Sequence, residues 1–262
     1  MDYTKIKLTL DDGVAIIAFN DPATLNAAGL VAAKELTHVF DRIAGGELAV
    51  RAAVLTGEGR GFCSGADLST PGLEPGGGVS LGAWLEDNYN PLMSRIRALP
   101  VPLVTAVNGA AAGVGCSFAL MGDIIVAAES AYFLQAFSRI GLVPDGGSTY
   151  LLPRMIGRAR AMEMMLLGDR VPARTALEWG LINRCVPDTE LMATALPIAR
   201  KLAEGPRSLG MIRRLAWDSL DAQWADQLKE EAVIQEAAGK TEDFAEGVNA
   251  FMNKRPAAFK GR

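Results

Sequence analysis

The stretch from Leu103 to Gly122 limits what this chain can fold into more than any other. It opens on a β-branched run, Val104 to Val107, which predicts a buried strand. Asn108-Gly109 turns the chain, and a second small-residue turn follows at Gly113-Val114-Gly115. The apolar run from Cys116 to Met121 then predicts a helix too apolar to face water. A strand, a glycine turn and a buried helix form an α/β unit. The first N–H groups of its helix have no partner within the helix. They suit an anion, or an oxygen about to become one.

The rest of the chain predicts more of the same. Ile6 to Leu10 and Val14 to Phe19 flank Asp11-Asp12-Gly13 as a hairpin. Asn26 is expected to start a helix whose apolar positions Leu30, Leu36, Val39, Phe40 and Ile43 carry it to Gly45-Gly46. Ala52 to Leu55 reads as a strand, Thr56 to Leu68 as a glycine-rich loop, and Ser69 to Gly82 as a lid without regular structure. A helix from about Ala83 to Leu99 leads back to the opening strand. Strands at Asp123 to Ala128, Ala131 to Phe133 and Leu181 to Val186 bracket helices at Ser148 to Met155, Arg158 to Leu167 and from Pro172 to Trp179. Beyond residue 190 only helices are expected: Thr189 to Ala203, Pro206 to Leu220, Trp224 to Ala238 and Asp243 to Asn253. The chain therefore divides into an α/β core, residues 1–190, and a helical region, residues 191–262, which must pack on that core or on a partner subunit. A strand–turn–helix unit recurs at Val14–Ile43, Ala52–Leu99 and Leu103–Gly122, the pattern of a ββα coil.

Composition removes whole classes of chemistry. Net charge is −4 with both signs interspersed, so there is no basic footprint for nucleic acid. No apolar run reaches membrane-spanning length and the first residues are not a signal peptide, which predicts a cytoplasmic protein. The three cysteines, Cys63, Cys116 and Cys185, have no zinc spacing. The single histidine, His38, falls on the polar side of its helix, so a multi-histidine metal site is excluded. Acid–base work falls to carboxylates, lysines, tyrosines or cysteines.

Two loops leave strands with small residues, Gly61–Leu68 and Asn108–Gly115. Their main-chain N–H groups can converge on one oxygen; their glycines can equally serve close packing alone. Neither loop carries a P-loop or dinucleotide fingerprint, and Cys63-Ser64-Gly65 is not a nucleophile elbow.

Three blocks decide more when taken together: Gly61-Phe-Cys-Ser-Gly-Ala-Asp-Leu68, Ala106-Val-Asn-Gly-Ala-Ala-Ala-Gly-Val-Gly115 and Gly141-Leu-Val-Pro-Asp-Gly-Gly-Ser-Thr149. In order and spacing they resemble the signature blocks of the crotonase superfamily, the enoyl-CoA hydratase/isomerase family, and the resemblance runs over essentially the whole chain. It implies an α/β fold, a ββα spiral core with a C-terminal helical oligomerisation region, assembled as a homotrimer or dimer of trimers. It implies an acyl-CoA thioester substrate and no separate cofactor, since coenzyme A is part of the substrate.

The resemblance also assigns residues. The thioester oxygen is expected on the main-chain N–H groups of Ala66 and Val114; many relatives have glycine at the second position. Ala23, Thr24 and Leu25 with Ala66, Asp67 and Leu68 are expected along the adenine end of CoA, with Ser64 and Tyr89 also at the substrate. Lys254, Arg255 or Lys260 is the candidate partner of the CoA phosphates. Where family hydratases carry two glutamates, this chain has Ser117 and Phe137, which disfavours ordinary hydration. One carboxylate remains, Asp145. As residues alone, Pro144-Asp145-Gly146-Gly147 is a turn that caps the next helix. By resemblance it matches family isomerases that shift a double bond, or isomerise a ring epoxide, with a single acid/base. The alternatives are a hydratase-like or hydrolase-like relative of the same family, with water activated by Asp145 or by another residue not identified in the sequence, and a non-catalytic acyl-CoA-binding protein.

Overall fold

The computed structural model describes residues 2–67, 69 and 76–262. Strands β1 (Ile6–Asp11) and β2 (Val14–Phe19) form the predicted hairpin. The later strands come in pairs: β3 (Ala52–Gly57) with β4 (Gly61–Cys63), β5 (Leu103–Val107) with β6 (Ala110–Ala112), β7 (Ile124–Ala128) with β8 (Tyr132–Leu134), then β9 (Val171–Pro172) and β10 (Arg184–Val186). In the first three of these pairs the first strand joins one sheet, of order β1-β2-β3-β5-β7-β10, and the second joins another, of order β4-β6-β8-β9; β9 closes the smaller sheet and β10 the larger. A helix closes each turn of the resulting spiral. These are α1 (Leu30–Ala44), α2 (Leu81–Trp84) and α3 (Asn90–Arg97), and α4 (Val114–Leu120).

The larger sheet is parallel from β2 onward, and its central strands are buried on both faces, as their unbroken apolar runs require. Val54 stands opposite Val104, and Val104 opposite Ile124. Between the sheets Phe19 meets the rings of Phe62 and Phe118 at centroid distances of 5.7 and 5.6 Å, and Tyr89 meets Phe118 at 6.4 Å. Gly115 permits a close approach of backbone to backbone. A Cβ there would stand 2.1 Å from the Cys63 carbonyl oxygen, so α4 lies directly on the backbone of β4.

Several expectations are corrected. Asn26 does not start α1, which begins at Leu30 with Gly29 at its N-cap. Asn26 takes a left-handed conformation (φ 62°) and is buried. Its side chain accepts from the Asp21 N–H at 2.8 Å and donates to the carbonyls of Glu58 (2.9 Å) and Gly61 (2.7 Å). The Thr56–Leu68 loop contains strand β4, and three alanines after Gly109 form β6, which nothing in the sequence announces. Of the expected lid, residues 70–75 lie outside the described residues, and α2 already begins at Leu81. Residues Leu85–Tyr89 form a widened, π-type turn that joins α2 to α3. His38 is half-buried, its ring Nδ1 2.8 Å from the Tyr3 hydroxyl.

Helix α5 (Ser148–Leu167) is broken at Gly157 (φ 76°, ψ 158°), as its two predicted halves require. It is followed by α6 (Ala173–Glu178), α7 (Leu191–Ala203), α8 (Ser208–Ser219), α9 (Trp224–Gly239) and α10 (Glu242–Met252). The first of the last four is seated on the large sheet, with Leu191, Ala195, Ala199 and Ala203 in the main core. The other three contribute little to that core.

Candidate active site

Gly65 and Gly113 bring two loops into contact. Both have positive φ (115° and 53°). A Cβ on Gly113 would stand 3.7 Å from the Gly65 Cα, and one on Gly65 would stand 3.1 Å from the Ala112 carbonyl oxygen. Each is followed by one of the expected donors, Ala66 and Val114. Ala66 forms an isolated parallel bridge with Ala28, whose N–H donates to the Gly65 carbonyl at 2.8 Å. Val114 is the first residue of α4 and its side chain lies in the core, so a β-branched residue sits there in helical geometry. Gly113 is held by its own N–H on the Leu134 carbonyl at 2.9 Å. Among the described residues neither the Ala66 nor the Val114 N–H has a hydrogen-bond partner. The Phe137 ring edge lies 3.7 Å from where a Gly113 Cβ would be and makes that wall apolar.

Asp145 belongs to a turn of two left-handed glycines, Gly146 (φ 59°) and Gly147 (φ 83°). The turn could have served only to cap α5, but the N-cap is Gly147 and no side chain caps the helix. The Asp145 main-chain carbonyl takes the bonds instead, from Ser148 N–H (3.1 Å), Ser148 Oγ (2.6 Å) and Ser117 Oγ (2.9 Å). The side-chain Oδ1 is buried with no hydrogen-bond partner in the structure. Burial pushes the carboxyl up to about 6, because the charged form loses water and gains nothing in return.

Tyr89, the last residue of the π-type turn, is buried, and its hydroxyl donates to the Ala28 carbonyl. Burial raises its phenol well above the usual range, and Cys63, Asp145 and Asp67 nearby add to the rise. Tyr89 thus stands between the Ala28–Ala66 bridge and Asp145, while Ser117 ties Asp145 to α4 one turn after Val114. Ala66, Val114 and Asp145 share one neighbourhood. Gly146 and Gly147 also line a cavity of about 230 Å³ with Met93, Met121, Tyr150, Leu151 and Trp217.

The segments expected at CoA are laced together. Ser64 donates through its N–H to the Leu25 carbonyl (3.0 Å) and through its hydroxyl to the Thr24 carbonyl (2.8 Å). Ala23 and Thr24 are exposed, and Leu25 turns with φ 54°. Asp67 accepts from Ser69 N–H and Oγ (3.0 and 2.6 Å) and faces Gly29 before α1. Leu68 lies outside the described residues. The polar atoms of Ser64, Tyr89 and Ser117 are therefore committed to main-chain carbonyls. In the tail, both arms of Arg255 are engaged by Glu246 (2.6 and 2.8 Å). Burial pushes the Cys63 and Cys116 thiols up to about 12, which leaves them inert. Among the described residues no three His, Cys, Asp or Glu side chains come together as a metal-ligand set.

Sequence reasoning missed Ser148, Ala28, Asn26 and Asn108. Asn108 reads as a turn residue, yet it accepts from the Gly57 N–H (3.1 Å) and donates to the carbonyls of Gly59 (2.9 Å) and Gly61 (3.1 Å). The one available signal is shared by Asn26 and Asn108: an asparagine beside glycine-rich chain is suited to bond main chain.

Two donors without partners, a buried carboxyl and an apolar wall are an arrangement chemically suited to an oxygen that gains charge. Residues 9–262 match the model of the enoyl-CoA hydratase/isomerase family. The chain belongs to this family. It is 43% identical to the 1,2-epoxyphenylacetyl-CoA isomerase of Escherichia coli K12, over 97% of each chain. It is 41% identical to a probable enoyl-CoA hydratase of Rhodobacter capsulatus, over the whole of both. Among solved structures, a putative enoyl-CoA hydratase from Streptomyces coelicolor superimposes with a TM-score of 0.93 at 34% identity, covering 100% of this chain and 96% of that one. The fold is the crotonase spiral, and the protein is an enzyme of this family.

Proposed function

We propose that the protein is an acyl-CoA isomerase that moves a double bond from C3 to C2 of a 3-enoyl thioester. The observation that carries this reading is Asp145, whose buried Oδ1 has no partner and whose carboxyl is pushed up to about 6. The thioester oxygen rests on the Ala66 and Val114 N–H groups. Asp145 takes the C2 proton, and the electron pair moves into a dienolate whose charge lies on that oxygen. Asp145 then returns the proton at C4, so nothing is gained or lost. Fixed main-chain donors hold the charge without reorganising, and one such donor is commonly worth about 10²–10³ in rate. The same groups would steer the opening of a ring epoxide, the chemistry named for the E. coli relative.

Ser117 and Phe137 support isomerisation over hydration, since neither can hold a second water-activating carboxylate. CoA enters with the substrate, its adenine end along Ala23 to Leu25 and Ala66 to Leu68, and no other cofactor is needed. Exposed Trp224, Leu228, Phe244, Val248 and Phe251 on α9 and α10 support assembly of copies through the helical region, as a trimer or a pair of trimers.

The test is incubation in D₂O with 2-enoyl-, 3-enoyl- and epoxyphenylacetyl-CoA, following label at C2 and C4 and the double-bond position. The expected result is a double-bond shift with label, reduced about 10²–10⁴-fold in Asp145→Asn. Water addition to the 2-enoyl thioester without a shift identifies a hydratase. Binding without exchange identifies a non-catalytic protein, and an Asp145→Asn variant with full activity removes Asp145 from the reaction.

A further inference from the structure

A general acid/base must be aimed as well as poised. No hydrogen bond holds the buried Oδ1 of Asp145. What holds the residue is its main chain, and the restraint comes from two directions. Ser148 acts from within the turn, through its N–H and its hydroxyl. Ser117 acts from another element, reaching out of α4 to the same carbonyl oxygen at 2.9 Å. Both serines are fully buried, and their hydroxyl oxygens are 3.2 Å apart. Two hydroxyl protons face three oxygen–oxygen contacts, so each serine can keep the carbonyl satisfied when the other turns away.

The packing is as specific as the bonding. A Cβ at Gly146 would stand 2.8 Å from Ser117 Cβ, 3.0 Å from Ser117 Oγ and 3.1 Å from Met93 Cε. The left-handed turn is pressed onto Ser117, so any movement of the serine is felt at the peptide next to Asp145. Val114 lies three residues earlier on the same short helix.

We propose that Ser117 is a positioning residue: its hydroxyl fixes the Asp145 turn to α4, so that the acid/base and the Val114 N–H keep one separation. This rests on the reading of Asp145 given above. In this chain the position is an anchor for the acid/base, and its lack of a carboxylate is only half of its role. A misplacement on the scale of an ångström is costly in such a site.

The variants are Ser117→Ala, Ser148→Ala and the double variant, assayed on 3-hexenoyl-CoA across pH. For Ser117→Ala, kcat is expected to fall about tenfold with KM within about twofold, because orientation rather than binding is lost. Ser148→Ala, which leaves the link to α4, should lose less, and the double variant should lose more than the product of the two. A second readout needs no turnover: titration of the ¹³C-labelled Asp145 carboxyl by NMR, assigned with Asp145→Asn. In Ser117→Ala the loosened turn admits water and the titration moves down toward the ordinary carboxylate range. If Ser117→Ala does not fold, Ser117→Cys fills the same space with a weaker donor and should move both readouts the same way. A wild-type enzyme that isomerises and a Ser117→Ala enzyme with unchanged kcat and titration would overturn the positioning role and leave the isomerase reading intact. A wild-type protein inactive on every thioester, with a titration that still moves in the variants, would sink the isomerase reading and leave the anchor standing.

Discussion

Asp145 is a carboxylate whose environment favours its protonated form, and this has consequences for both rate and stability. In the proposed reaction Asp145 is the base and works ionised, so kcat/KM should rise with pH and reach half its plateau near pH 6, the value to which burial pushes the group. A rate profile between pH 4.5 and 8 checks this, and a flat profile removes Asp145 as the base. The stability effect has the opposite sense. The folded group binds its proton more tightly than the unfolded one, whose value is 3.8. Its contribution to stability is therefore fully present below that value and is lost as pH rises through about 6. Asp145→Asn removes the titration, so the variant should melt above the wild type at pH 8, with the difference shrinking toward pH 4. Differential scanning fluorimetry at the two pH values reads it, and a variant less stable than the wild type at pH 8 contradicts the burial argument.

At the scale of the element, buried side chains hold main chain that regular structure leaves unpaired. Glu35 on α1 is the strongest case. Its carboxylate accepts from the Thr4 N–H (2.8 Å), the Thr4 hydroxyl (2.9 Å), the Lys5 N–H (2.8 Å) and the Ile6 N–H (3.0 Å), pinning the start of β1 to the helix. Glu35→Ala leaves these donors unsatisfied and should cost about 3 kcal/mol, from the penalty for burying unpaired polar groups. Urea denaturation measures it; a loss below about 1 kcal/mol would mean that water replaces the carboxylate. Phe118 on α4 touches Phe19 and Tyr89 at the junction of the two sheets. Phe118→Ala should cost about 3–5 kcal/mol through the cavity left behind. Because α4 also carries Val114 and Ser117, this variant should lose activity at temperatures where it is still folded. Full specific activity in the folded variant would show that α4 keeps its place without the ring.

At the scale of the whole molecule, the outer helices are joined to the spiral by few but strongly bonded groups. Arg213 of α8 is buried. It pairs with Asp123 at 2.7 Å and donates to the carbonyls of Arg97 (2.6 Å), Leu99 (3.0 Å) and Ile96 (2.8 Å). The same Asp123 accepts from the Leu103 N–H at 2.7 Å, at the start of the central strand, and from the Trp217 indole at 3.0 Å. Removing one partner of such a pair strands the other, so Arg213→Ala should cost about 3–5 kcal/mol. It should also loosen α8 to α10 before the spiral unfolds. Hydrogen exchange would read this as early loss of protection confined to residues after about 205, and a uniform loss would contradict it. Asp243 plays a similar part for the tail, accepting from the N–H groups of Arg207 (2.8 Å), Lys260 (2.7 Å) and Gly261 (2.9 Å). Burial pushes this carboxyl up, but those three bonds outweigh it and hold it below 3.8. Its contribution is present above that value and is lost as pH falls through the lower folded one.

The spiral was legible where side chains repeat with a clear period or run apolar without a break. Val104 to Val107 reads as a buried strand, the hairpin alternates about Asp11-Asp12-Gly13, and the break of α5 is written in Gly157. The site blocks around Ala66, Val114 and Asp145 were legible only jointly, by likeness, because a glycine alone does not say whether it makes room for a ligand or for backbone. The rest was decided by tertiary structure. Ala110 to Ala112 carry no strand signal and pair only because β4 and β8 lie on either side. Asn26, a plausible helix cap by its neighbours, is claimed by carbonyls more than thirty residues away. The Asp145 carboxyl is a weak acid of ordinary strength in sequence; burial pushes it up, and Ser117, twenty-eight residues earlier, fixes the turn that carries it. Local pattern sets which segments can be strand or helix, because that depends on near neighbours along the chain. Desolvation and hydrogen-bond partnership depend on what the fold brings near, and these turn a glycine-rich surface into a site.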